Sequence, residues 1–125
     1  MSHIVLMNFC FKLKINGVNT QGENIADNQG LRTAFRAYQN YVAENGSERI
    51  SNRNLTAEQI FFISYAYSFC GISTPEGTAS FVETDPHSTF RYRVIGAVSN
   101  NEDFVRAFKC DENSPMNRLN KCVLF

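Results

Sequence analysis

Two carboxylates on the apolar stripe of a predicted helix constrain this chain most. Apolar side chains recur at Leu31, Phe35 and Tyr38, with the spacing of one helical face. The same spacing, continued back by one and two turns, gives Asp27 and Glu23. Two like charges on a face that should meet the core destabilise a helix unless an arginine, a histidine or a metal ion meets them. The stripe therefore predicts a cationic partner or a metal site.

Length and charge limit the class of protein. The 125 residues are 43% hydrophobic, with 11 Phe and 5 Tyr, enough for a modest core in one domain or part of one. Twelve basic and twelve acidic side chains cancel, so we expect neither nucleic acid nor an anionic membrane surface as a partner. No apolar run approaches the roughly 20 residues of a membrane span, and none is predicted in this chain.

The chain reads mainly as helices. The first is predicted over residues 23–43. Thr56 and Gln59 form a capping box for a second helix, apolar on nearly every face from residue 60 to 70 and therefore central and buried. Ser73 or Thr74 caps a third helix, with Pro75 at its first position.

The last third of the chain has weaker patterns. Residues 90–98 alternate between apolar and basic side chains well enough to predict a short extended segment. Ser99 and Glu102 have the spacing of another capping box, which would open a helix burying Phe104 and Phe108. The tail after Cys110 looks irregular.

Residues 22–28 read Gly-Glu-Asn-Ile-Ala-Asp-Asn, and this motif resembles the signature of the neprilysin and endothelin-converting-enzyme family of zinc metallopeptidases, which are gluzincins. The resemblance continues in order and spacing to the end of the chain, through Cys70-Gly71, Pro75-Glu76, Thr84 to Ser88, Arg93 to Gly96, Phe104 to Cys110, Ser114 to Asn117, and Cys122. It covers residues 15–125, and residues 1–14 form an unmatched leader, which we interpret as an accident of truncation or of a gene model. The resemblance implies the helical C-terminal part of a thermolysin-like α+β catalytic domain.

The resemblance implies a zinc role for both stripe carboxylates. It makes Glu23 the third protein ligand of the zinc ion, beside two histidines of an H-E-x-x-H helix. Without the resemblance, Glu23 reads as an acidic residue that the dipole of a helix N-terminus favours. Asp27 would orient one of those histidines. Alternatively, Asp27 pairs with Arg32 or lies on the helix surface.

Three downstream residues are implied to act on the substrate. His87 would donate a hydrogen bond to the oxyanion of the attacked peptide carbonyl, although a turn histidine alone is more often a cap or a surface residue. Arg93 would bind substrate carbonyl groups through its planar guanidinium. The family's Pro-Gly turn is replaced here by Thr89-Phe90, and Arg91 is a second candidate cation. Phe69 would border the pocket for the residue after the scissile bond, or is ordinary core.

The sequence contains no H-E-x-x-H, which removes two zinc ligands and the general base. We therefore expect a zinc metalloendopeptidase by family but an inactive chain that holds no stable zinc, with no cation to meet the two stripe carboxylates. The alternative is a truncated or degenerate, non-catalytic member acting as a secreted binding module. A helical small-molecule carrier has no further polar constellation to support it.

The cysteines and two N-x-[ST] sequons, at Asn45 and Asn54, fit an extracellular or cell-surface protein. In the family, cysteines matching Cys70, Cys110 and Cys122 pair with partners N-terminal to this segment, and Cys10 lies outside the resemblance. The implied partners are peptide substrates and the missing N-terminal part of the catalytic domain.

Overall fold

The computed structural model describes residues 13–47 and 54–122, and this part of the chain is mainly helical, as predicted. None of its helices is long and apolar enough to cross a membrane. The predicted leader, apart from residues 13 and 14, and most of the polar loop after the first helix lie outside the described residues. The helices are α1 (Gln21–Asn45), α2 (Ala57–Tyr67), α3 (Pro75–Thr84), α4 (Phe90–Ser99) and α5 (Glu102–Phe108).

The core lies where α1, α2 and α4 meet. Phe35 of α1 is fully buried and stacks on Phe62 of α2, with ring centroids 4.9 Å apart. Phe104 of α5 meets the ring of Phe62 edge-on at 5.4 Å. Leu31 of α1 joins this cluster, together with Ala97 and Val98 of α4. The apolar half of the α1 stripe therefore faces the core, as its spacing predicts.

The capping box of α2 is confirmed. Thr56 Oγ1 accepts from the Gln59 backbone N–H at 3.2 Å, and Gln59 Oε1 accepts from the Thr56 N–H at 3.0 Å. The helix is less buried than predicted, because among its residues only Phe62 is buried. Ile63 is 43% and Tyr67 76% exposed, so the prediction of a buried central helix is wrong for the described part of the chain.

The predicted extended segment at residues 90–98 is wrong, since these residues form α4. The alternation of aromatic and basic residues at its start hid a helical spacing, in which Val94, Ala97 and Val98 face the core. Thr89, in an extended conformation, precedes the helix as its N-cap residue.

Two other helix starts differ in how well they were predicted. Thr74 caps α3 by accepting from the Gly77 N–H at 3.0 Å, and Pro75 stands at the first helical position, as predicted. The Ser99 capping box is wrong, because Ser99 is the last residue of α4. Asn101 caps α5 instead, accepting from the Phe104 N–H at 3.0 Å. An asparagine is as good a cap as a serine, but Asn101 was not among the predicted caps.

Replacing the α2 cap should cost stability. We expect Thr56→Ala to lower the free energy of unfolding by about 1 kcal/mol, since the Gln59 N–H loses its acceptor. Thr33→Ala is the matched control, because Thr33 is exposed within α1 and alanine is a better helix former. Urea unfolding followed by circular dichroism measures both. Equal effects of the two substitutions would contradict the capping role.

Candidate functional site

A bidentate ion pair between Asp27 and Arg93 joins α1 to α4. Arg93 Nε donates to Asp27 Oδ2 at 2.8 Å, and Arg93 Nη2 donates to Asp27 Oδ1 at 2.7 Å. The side chain of Arg93 is only 20% exposed, and that of Asp27 only 10%. Hydrogen bonding to Asp27 raises the pKa of Arg93 above its ordinary value. This geometry matches a planar guanidinium to a carboxylate and is among the stronger charged interactions in proteins.

Two aromatic residues from α2 and its C-terminal end enclose Arg93. The guanidinium carbon lies 4.8 Å from the ring centroid of Phe69, within the range of a cation–π interaction. The Tyr65 hydroxyl donates to the Arg93 carbonyl oxygen at 3.4 Å. Burial, and secondarily the Asp27 charge, raise the pKa of Tyr65 to about 12. Tyr65 therefore stays neutral as a hydrogen-bond donor across the ordinary pH range.

His87 lies between two carboxylates. Its Nε2 is 3.1 Å from Glu23 Oε2, and its Nδ1 is 2.7 Å from Asp85 Oδ1. The His87 backbone N–H also donates to Asp85 Oδ1 at 2.8 Å, and this bond is the main reason that the pKa of Asp85 is lowered. All three side chains are about one-third to two-fifths exposed. Asp85 thus fixes the ring orientation of His87 and leaves Nε2 facing Glu23.

Both stripe carboxylates have side-chain partners within the chain. The Arg93 cation meets Asp27, and the His87 imidazole meets Glu23. The expectation that no cation meets these carboxylates is therefore wrong for Asp27. Both partners lie far along the sequence, with 66 positions separating Asp27 from Arg93, so no local pattern could reveal them. The alternative of an Asp27–Arg32 pair is not observed, and the ion-pair partner of Asp27 among the described residues is Arg93.

The structure brings all five predicted site residues into one region. Glu23 and Asp27 come from α1, His87 from the α3–α4 loop, Arg93 from α4, and Phe69 from the segment after α2. Sequence reasoning gave no separate role to Asp85 or Tyr65, which hold His87 and Arg93. The short Asp85-Pro86-His87 spacing was the available signal, because an aspartate often bonds to the backbone two residues on.

The described residues do not by themselves form a zinc site. A protein zinc site needs three or four nitrogen, sulfur or carboxylate ligands around one point. Among the described residues, no group of three His, Cys, Asp or Glu side chains could hold a metal ion. Glu23 has one such neighbour, His87, at contact distance.

A cleft of about 650 Å³ lies beside the ion pair. Its walls are the segment before α1, the first turns of α1, and α4. Its lining includes the polar residues Lys14, Asp27, Tyr92, Arg93 and Arg118. A concave site of this size with a few converging polar groups suits the binding of a small ligand or a peptide segment.

Breaking the Asp27–Arg93 pair should destabilise the chain strongly. We expect Asp27→Asn to lower the free energy of unfolding by about 2 kcal/mol, because a poorly solvated guanidinium loses its counter-charge. Asp103→Asn is the matched control, since the Asp103–Arg106 pair lies within one helix and is more exposed, at 24% for Asp103 and 56% for Arg106. Its effect should stay within about 0.5 kcal/mol. Urea unfolding measures both variants. An equal loss of unfolding free energy in Asp27→Asn and Asp103→Asn would contradict the prediction.

Comparison with known proteins gives the family. The family model described as peptidase family M13 matches residues 3–124. Endothelin-converting enzyme 1 of Rattus norvegicus is 50% identical over 112 residues, which cover 89% of this chain and 15% of that protein. Neprilysin of Oryctolagus cuniculus is 46% identical over 109 residues, which cover 86% of this chain and 14% of that protein.

Human neprilysin gives the same figures as the rabbit protein, 46% over 109 residues. The chain spans about 15% of the length of the curated relatives that it matches. The family model, in contrast, extends over nearly the whole chain. The chain therefore belongs to peptidase family M13.

Proposed function

We propose that this chain forms the C-terminal part of a zinc metalloendopeptidase of the neprilysin type, which hydrolyses internal bonds of peptides. The family supports the reaction class. The observation that carries the proposal is the meeting of Glu23 with His87, and of Asp27 with Arg93, along one side of α1. Residues 15–125 would belong to the catalytic domain, and the rest of that domain would come from outside this chain.

His87 is proposed to stabilise the transition state. Its Nδ1 is bound by Asp85, so its Nε2 is the nitrogen that can donate to a substrate oxygen when it carries a proton. A hydrogen bond to the oxyanion that forms on the attacked carbonyl is typically worth on the order of 3 kcal/mol. The same nitrogen contacts Glu23 here, which keeps it beside the proposed reaction centre.

Arg93 is proposed to bind substrate carbonyl groups. A guanidinium has five N–H donors, and Asp27 takes one from Nε and one from Nη2. Part of the guanidinium therefore remains for other acceptors. Because Asp27 and the Phe69 ring hold the group in place, little entropy is lost when a substrate binds. Phe69 itself is proposed to border the pocket for the residue after the scissile bond.

Glu23 is proposed as one zinc ligand, with two histidines supplied from outside these 125 residues. The single carboxylate would neutralise part of the metal charge. Asp27 is proposed to orient one of those histidines, since each carboxylate oxygen has a second lone pair beyond the one used by Arg93.

An extracellular or cell-surface location is proposed from the cysteines and sequons. Cys70, Cys110 and Cys122 are free thiols among the described residues. They are proposed to form disulfides with cysteines outside this chain. Asn45 and Asn54 are both exposed, as glycosylation sites must be. Peptides are the proposed substrates, and no role with nucleic acid is proposed.

A second candidate is a non-catalytic family member that acts as a secreted binding module. The cleft of about 650 Å³ beside the Asp27–Arg93 pair is the observation that favours it, since a concave surface with polar groups suits binding. An H-E-x-x-H run encoded upstream in the same transcript would favour the enzyme, and a transcript without one would favour the module.

A chimeric enzyme tests the proposed function. The matched segment of rat endothelin-converting enzyme 1 is replaced by the corresponding residues of this chain. We expect the chimera to hydrolyse the peptide substrate of its parent and to bind zinc. Glu23→Ala should abolish both, and His87→Ala should lower kcat by roughly 10² to 10³ with a small change in KM.

Glu83→Ala is the control for the chimera, because Glu83 is an exposed residue of α3, away from the contacts of the site. It should keep the activity of the unmutated chimera. A folded chimera that neither binds zinc nor cleaves peptide would contradict the proposed function.

The chain alone should be inactive and hold no zinc. After incubation with Zn²⁺ and dialysis, we expect metal analysis to find no stoichiometric zinc on residues 1–125, because three protein ligands are needed. One retained zinc per chain that disappears in Glu23→Ala, together with peptidase activity, would overturn this expectation.

A further inference from the structure

A hydrogen bond from a buried serine lies beside the Glu23–His87 contact. Ser88 Oγ donates to Asn24 Oδ1 at 2.8 Å, and Ser88 is only 5% exposed. Ser88 directly follows His87, and Asn24 directly follows Glu23. The bond therefore joins the α3–α4 loop to α1 one residue away from each member of the contact.

The contact itself is poorly suited to fix its own geometry. Glu23 and His87 are 41% and 33% exposed, so solvent and salt screen their attraction. The Ser88–Asn24 bond has a buried donor, since Ser88 is only 5% exposed, and it is therefore less screened by solvent and salt. This bond is thus the stronger restraint on the distance between loop and helix.

Neighbouring bonds orient the Asn24 side chain toward Ser88. Asn24 Nδ2 donates to Thr20 Oγ1 at 3.1 Å, and Thr20 is 3% exposed. Thr20 Oγ1 in turn donates to the Asn16 carbonyl oxygen at 3.3 Å. Because the amide nitrogen is engaged in this way, the amide oxygen is left to accept from Ser88. Asn24 is therefore held in its acceptor orientation by the helix start.

Other links between the loop and the region of α1 are weaker or lie elsewhere. Asn19 Nδ2 donates to the Asp85 carbonyl oxygen at 3.4 Å, and this bond is exposed. The Asp27–Arg93 pair holds α4 after the loop has ended. Neither link acts on the backbone directly beside His87.

We propose that Ser88 and Asn24 are positioning residues that set the approach of His87 to Glu23. Their hydrogen bond holds the loop against the first turn of α1, so that His87 Nε2 meets the Glu23 carboxylate. The catalytic meaning of this positioning rests on the proposed function, whereas the geometric claim concerns this chain alone.

The geometric claim is tested by NMR on the full chain at one fixed pH. The sequence has two histidines, so His3→Gln leaves His87 as the only one and makes its ring protons unambiguous. In this background we expect nuclear Overhauser effects between the His87 ring and the Glu23 side chain. Ser88→Ala should remove them, and Ser88→Thr, which keeps a hydroxyl, should restore them.

Internal controls separate positioning from loss of fold. The ring contacts between Phe35 and Phe62 should persist in every variant, and Ser80→Ala, at an exposed serine of α3, should change nothing. If Ser88→Ala unfolds the chain, Asn24→Ala removes the same bond from the other side and is judged by the same signals. A folded variant without the Ser88–Asn24 bond that keeps full His87–Glu23 signals would overturn the proposal.

Kinetics in the active chimera test the catalytic meaning. Ser88→Ala should lower kcat about tenfold or more through misplacement of His87, with KM little changed, and Ser88→Thr should recover most of the loss. An active chimera whose kcat is indifferent to Ser88→Ala would contradict the catalytic meaning. An inactive unmutated chimera would count against the proposed function, while the NMR comparison would still decide the positioning claim.

Discussion

The Asp27–Arg93 pair is the interaction on which the arrangement of this structure depends. It joins the start of α1 to the start of α4 through two short hydrogen bonds between largely buried charges. Buried charges are stable only when they are paired and hydrogen-bonded. Each partner therefore offsets the free energy that burying the other would cost. Two further contacts bind α4 at the same residue, from the Tyr65 hydroxyl to the Arg93 carbonyl oxygen and from the Phe69 ring to the guanidinium.

Much of the fold was predictable because its signals are local. The stripe through Leu31 and Phe35 gave α1 and its core face, and the Thr56 capping box gave the start of α2. The α4 prediction failed because aromatic and basic residues alternate at its start, while the helical spacing depends on residues near its end. The exposure of α2 was not predictable either, since burial depends on what other elements pack against a helix.

The residues of the candidate site were proposed from the sequence, and their roles stay predictions, whereas their pairing could not be proposed. The spacing of Glu23 and Asp27 showed that two carboxylates needed compensation, and the family resemblance selected His87 and Arg93. The partner of each carboxylate depends on the packing of α1 against α4 and on the path of the α3–α4 loop. Sequence spacing carries no such information across 66 positions. The Ser88–Asn24 hydrogen bond could not be predicted for the same reason.

The most direct test of this account is the coupling free energy between Asp27 and Arg93, measured by a double-mutant cycle on the free energy of unfolding. Asp27→Asn, Arg93→Gln and the double variant provide the three comparisons. A pair that organises the structure should show a coupling of about 2 kcal/mol or more, near the upper range for residues in contact. A coupling near zero, with additive losses, would contradict the account.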